Sequence, residues 1–378
     1  MTLPGPTGAG PRVAVLFTSC LVVVAGSLAV SLASAVSTVV LGVVLLGVLH
    51  AVLELRYVAG RFSGLALGLG RPFMRLVAVL LAGIVLSRLL GGLVGRPANV
   101  AEILLGYALV AVSIPRVLAR PQRVPVWALT GVAALASLRW PEEHFVALAH
   151  LHLVTVVVFL WEWSRRLPSA RSRRAFRVLQ AGWALVIPAL IVAGWADSWL
   201  GTDATFVRSL VGDGHSVVAG AQPPGGVGTV VGTRFLAAFA FLQTMHLLTW
   251  VAFFPRHAPD AAADLEERLP WLTGARVWAI GFLGAAMFAV LLVSDYSTGV
   301  VLHDALGSPH VYVEIPLVLA LLGRRWSGGG PDDSDVTSPD GAQRRALITP
   351  WRPAPHRRTV GVSSKEGGGP RSDFFRNV

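Results

Sequence analysis

The chain has 378 residues, 54% of them hydrophobic and only 14% charged, and its mean hydropathy is +0.63. A soluble domain carries about 25% charged residues, so this composition excludes one and describes a protein built to sit in a bilayer. The net charge of +11 is almost all arginine, Lys365 being the one lysine, and reads as loop charge that sets membrane orientation; no nucleic-acid partner is expected.

Ten apolar runs follow along the chain, at about 13–33, 36–56, 73–94, 99–118, 124–139, 145–163, 176–196, 235–254, 275–294 and 308–323. Several approach the ~20 residues that cross ~30 Å of hydrocarbon. The first begins after Arg12 and ends at Ala33-Ser34-Ala35, which has the look of a signal peptide. It is longer than the usual apolar region of about 7–15 residues, so a retained first span is expected. The fifth and tenth runs are short and read as tilted, re-entrant or enclosed spans. Cys20, the one cysteine, excludes an internal disulfide and a thiolate cluster.

The arginines alternate with this pattern. Arg56, Arg61, Arg71, Arg75, Arg116, Arg120, Arg123, the group from Arg165 to Arg177, Arg256, Arg268 and Arg276 fall on one side; Arg96, Arg139, Arg208 and Arg234 fall on the other. An even span count with both termini cytoplasmic follows. The expected fold is an all-α polytopic helix bundle over residues 1–323, lodged in the cell membrane with lipid as its surroundings. Residues 197–233 form a Gly-rich exoplasmic loop, long enough for a lid or partner contact as well as a linker. Residues 324–378 read as a disordered cytoplasmic tail.

Chemistry is carried by ionisable groups inside the spans, where each costs roughly 2.5–3.5 kcal/mol on insertion and so needs a reason. His50-x-x-x-Glu54 and His310-x-x-x-Glu314 both have the spacing that puts two side chains on one helix face. Glu54 has two readings, a ligand or a partner of Arg56, and His50 is either a ligand or a bond between helices. Glu314 has no basic neighbour in sequence, so its partner lies on another span; it is the candidate catalytic base as well as a ligand. Of His150 and His152, two apart, only one can face a central site, and His152 is preferred. Gln243, His246 and Trp250 form a stripe that either lines a pocket or seams two helices. Gln243, Trp250 and Tyr312 are expected to orient the ligands. Asp295, Tyr296, His303 and Asp304 are assigned to a short turn before the last span. The expected spans put His50 and His246 ~8–12 Å deeper than His152, His310 and Glu314, which leaves one site or two polar spots open.

The candidate metal set is therefore His50, Glu54, His152, His246, His310 and Glu314. Imidazole with carboxylate suits iron, and zinc or manganese as well. With four histidines inside helices and a His-x-x-x-Glu pattern, the chain resembles the Brp/Blh family of β-carotene-cleaving membrane dioxygenases over residues 36–323. That resemblance implies non-haem iron held by histidines from several spans and a lipophilic small-molecule substrate. The His-x-x-x-His and His-x-x-His-His boxes of integral membrane desaturases are absent. Three functions compete: a non-haem iron membrane oxygenase, a proton-coupled carrier using the same buried groups, and a scaffold whose polar residues only lock helices together.

Overall fold

A computed structural model describes residues 9–62, 69–201, 205, 207, 209 and 220–326. Its helices are α1 (Ala9–Ala33), α2 (Ala35–Arg61), α3 (Arg71–Val94), α4 (Arg96–Val117), α5 (Arg120–Arg139), α6 (Pro141–Trp163), α7 (Ala170–Val192), α8 (Val230–His257), α9 (Pro259–Arg268), α10 (Gly274–Ser294) and α11 (Tyr296–Trp326). Nine of them are long and apolar enough to cross a membrane. Val22, Val79, Leu93, Leu135, Leu283 and Val290 are all more than half exposed. In water such a surface would aggregate; in a bilayer it faces lipid tails.

α5 falls short in hydropathy because Arg120, Arg123 and Arg139 lie in it. It crosses the height of the bundle all the same. His50 and His152, at the midpoints of α2 and α6, lie within ligand distance of each other. Arg61 and Glu162, at the C-terminal ends of the same two helices, bond at 2.6 Å. Two helices that meet level by level in the same order run parallel, so the chain between them crosses an odd number of times. α3, α4 and α5 supply those crossings. Among the described residues nine helices are apolar enough to span, and direction adds α5 as a further crossing; α1 begins on the same face where α11 ends.

α8 and α11 run the same way. The His152 and His246 rings are 4.5 Å apart, and Trp163 Nε1 donates to the His257 carbonyl at the far end (2.9 Å). In α11, His310 sits beside His50 and Glu314 beside Glu54. α2, α8, α6 and α11 each touch the next and close into an inner ring of four parallel helices. Protein buries 67% of the most apolar window of α8 but only 11% in α1 and α3, so α8 is central and those two face lipid.

Prolines shape this ring. Pro255 has no N–H and its ring displaces the carbonyl four residues back, so α8 widens into a π turn over Thr249–Phe253. Pro188 does the same to α7 over Gly182–Val186. In α11, Pro309 frees the Ala305 carbonyl, which accepts from Ser308 Oγ at 3.1 Å. α7 ends at Gly194, whose φ of 91° is left-handed; Trp195 N–H then reaches back to the Leu190 carbonyl at 3.1 Å.

At the C-terminal ends of the inner ring, α9 lies across α2. Arg166 grips Asp260 through both nitrogens at 2.6 and 2.8 Å, and Arg56 pairs with Glu266. Gly60 permits the contact, since a Cβ there would lie 1.7 Å from the Ala261 carbonyl oxygen. Both sides of that clash are backbone and cannot swing away. Gly60→Ala should therefore cost about 1–3 kcal/mol, read as a lower melting temperature in detergent. An unchanged melting temperature would mean that α9 does not dock there.

Three expectations need correction. The run 308–323 is only the second half of α11, because mixed polar residues over 296–307 dilute hydropathy without breaking a helix. His303 and Asp304 consequently lie inside α11 and not in a turn, while Asp295 caps it by accepting from Thr298 N–H at 3.1 Å. The loop 197–233 ends early, since Thr229 caps α8 at Val230, its hydroxyl accepting from Gly232 N–H at 3.0 Å. Arg234 donates to Asp197, which holds that carboxyl below its usual range. Much of that loop, and the expected tail beyond Trp326, lie outside the described residues.

Candidate metal centre

His152 lies at the centre of α6, His310 near that of α11, and His50 and His246 close to those of α2 and α8. The helices run parallel, so the four imidazoles arrive at one depth. The expected height difference came from spans drawn too short, above all the last one. Ring centroids follow a square: His50–His246 5.4 Å, His246–His152 4.5 Å, His152–His310 4.8 Å and His310–His50 5.5 Å. His50, His152, Glu54 and Glu314 are buried, His310 is half-buried, and His246 is fully buried.

Two of the imidazoles are fixed by a hydrogen bond at Nδ1. His152 Nδ1 donates to Glu314 Oε2 at 2.7 Å, and His50 Nδ1 donates to the Leu46 carbonyl at 3.1 Å. Both rings then present an unprotonated Nε2 to the interior. A carboxylate or carbonyl behind an imidazole is the usual way to fix the tautomer of a metal ligand. The Gly307 carbonyl lies near His310. The Leu153 carbonyl nears His246, though neither nitrogen of that ring makes a bond of proper geometry. His152 Nε2 and His310 Nε2 are 3.3 Å apart, so two lone pairs point at one spot unless a proton or cation lies between them.

The carboxylates complete the arrangement. Glu54 is not paired with Arg56, which bonds Glu266; its Oε2 lies 3.8 Å from His246 Nε2 and its carboxyl lies against that of Glu314. Two carboxyls in contact within hydrocarbon need a proton or a cation between them. Thr155 Oγ1 stands 2.5 Å from both Glu314 Oε2 and the His152 carbonyl and can donate to only one at a time. Donor atoms of His50, His152 and His310 all lie within 4.8 Å of one another, as do those of His50, Glu54 and His246.

No protein-family model, curated protein or solved structure matches this chain. The test of fit for a metal therefore rests on the donors themselves. Glu54 Oε2, both His246 nitrogens and Glu314 Oε1 are buried with no hydrogen-bond partner. An unmet buried polar atom costs about 1–3 kcal/mol; others lie scattered through the bundle, but four imidazole and carboxylate atoms at one spot fit a cation.

The remaining sequence candidates divide. Gln243 Nε2 donates to the Val39 carbonyl at 3.2 Å and seams α8 to α2, close to the backbone of Gly42. Trp250 stacks on Tyr57, Phe159 and Phe254 below His246, at 6.3 Å from that ring. Tyr312 turns away from the histidines and donates to Glu102 Oε1 at 3.2 Å, a carboxylate that also accepts from Arg88 at 2.7 Å. His150 faces Phe235 and Phe239 of α8, as its offset from His152 requires. Sequence reasoning passed over Thr155, Glu102 and Arg88. The last two carried a signal, an acid and a base of opposite sign in the interiors of consecutive spans.

Proposed function

We propose that this membrane protein is a metal-dependent enzyme, in its sharpest form a non-haem iron oxygenase, acting on a lipid-soluble substrate of the isoprenoid or carotenoid class. The observation that carries the reading is the meeting of four imidazoles and two carboxylates at mid-bundle with donor atoms left over. A scaffold would satisfy each group separately, as Glu102 is satisfied by Arg88 and Tyr312. Iron on these donors supplies redox and Lewis-acid chemistry; zinc or manganese fits the same set. The chain itself orients the ligands through Glu314 and Leu46, excludes water with an apolar wall, and leaves Glu314 Oε1 without a hydrogen-bond partner.

A cavity of about 150 Å³ between α1, α6, α7 and α8 supports the substrate class; Val23, Leu160, Trp183, Met245 and Thr249 are among its lining. Met245 adjoins His246 in sequence, and both π turns border the space. An apolar cavity of this size takes a ring or a chain segment, so the rest of a lipophilic substrate stays in the bilayer. Arg56, Arg61, Arg166 and Arg256 gather at one face, which we read as cytoplasmic, with both termini there and the cell membrane as the location.

Metal analysis of purified protein tests the proposal. Near-stoichiometric iron, zinc or manganese is expected, falling severalfold in His310→Ala. Protein that carries no such metal, and whose melting temperature ignores chelators, sinks the idea. The Glu54–Glu314 contact would also serve a proton carrier; metal-independent solute flux driven by a pH gradient and lost in Glu314→Gln would favour that reading.

A further inference from the structure

The donors of the centre do not form one shell. They divide into two triads, His50 with His152 and His310, and His50 with Glu54 and His246. His50 belongs to both, yet has one nitrogen to give, because Nδ1 is spent on the Leu46 carbonyl. An imidazole so held serves one ion. If His50 Nε2 joins His152 and His310, the other side keeps His246 and Glu54, two enclosed groups whose ring nitrogens and Oε2 have no hydrogen-bond partner. Beside Glu54 stands Glu314, a member of neither triad, whose Oε2 is occupied by His152 Nδ1 and whose Oε1 is not. The contact between the Glu54 and Glu314 carboxyls lies where these two halves meet.

A single ion would leave one of these halves without a cation, to be met only by an added proton. Either the His246–Glu54 side keeps buried polar atoms without partners, or the Nε2 atoms of His152 and His310 face each other 3.3 Å apart. Two ions sharing a carboxylate remove both difficulties, and paired ions at about 3.5–4 Å are an established arrangement in metalloenzymes.

We propose that the centre is dinuclear, one divalent transition-metal ion on His50, His152 and His310 and a second on His246 and Glu54 with Glu314 Oε1 at the junction. This rests on the metal reading above and specifies its nuclearity.

The test is to strip the full-length protein with chelator in detergent, reload it with Mn(II), remove excess metal, and count bound ions while recording the electron paramagnetic resonance spectrum. Two ions per chain with the spectrum of an exchange-coupled pair are expected. His246→Ala and His310→Ala should each fall to one ion with the spectrum of an isolated Mn(II). One ion in the unaltered protein overturns the dinuclear claim and leaves the metal reading intact; none overturns both. Two uncoupled ions, or two that persist in both variants, place metal elsewhere and also overturn it. The spectrum of the unaltered protein decides even if a variant does not fold.

Discussion

Replacing Arg88 by Met should destabilise the bundle by about 3–5 kcal/mol, because it leaves the Glu102 carboxylate enclosed with no counter-charge. Glu102 is 1% exposed in its side chain, and Arg88 and Tyr312 donate to the same oxygen. The Arg88 guanidinium also lies over the Phe145 ring at 4.6 Å, which ties α3 to α6. Adding Glu102→Gln should recover most of the loss, since a neutral amide needs no partner charge. Melting temperatures of the single and double variants in detergent measure this, and bound metal should not change in either. A double variant as weak as Arg88→Met alone would show that α3–α6 packing, and not the stranded charge, sets the cost.

The second large effect is expected at Glu314. Removing the carboxylate in Glu314→Ala strips the partner from His152 Nδ1, frees the ring to rotate or switch tautomer, and takes away a donor at the junction of the two triads. Loss of such an orienting carboxylate lowers metal affinity about 10–100-fold. Glu314→Gln keeps an oxygen that can accept from His152 Nδ1 and should recover part of the loss. Thr155→Val removes one hydroxyl that has a second acceptor in the His152 carbonyl, so its effect should be smaller, about 1 kcal/mol. Metal titration with fluorescent chelator competition ranks the three. Equal affinity in Glu314→Ala and the unaltered protein would remove Glu314 from the centre.

What could be read before the structure was the membrane class and which ionisable side chains inside the spans are candidates to meet. His50, His152, His246, His310, Glu54 and Glu314 stand out because hydrocarbon makes every internal charge costly, and that penalty depends only on the residue and its apolar neighbours. Partnership could not be read the same way. Arg56 is two residues from Glu54 yet bonds Glu266 of α9, a contact that exists only once α9 folds back over Gly60. Depth failed for a related reason: hydropathy marks where a helix is greasy, not where it ends, so α11 was cut in half and His310 was placed at a surface. The π turns that contain Trp183 and follow His246 have their cause in Pro188 and Pro255, but those prolines also suit an ordinary kink. The parallel run of α2, α6, α8 and α11 is a long-range property that no local pattern carries.

The most direct measurement of the central claim is X-ray absorption at the edge of the metal that copurifies with the protein. A nitrogen- and oxygen-only shell with the multiple-scattering signature of several imidazoles is predicted, reduced stepwise as His50, His152, His246 and His310 are replaced. Copurified metal without imidazole scattering, or with a shell that survives all four replacements, would contradict the account.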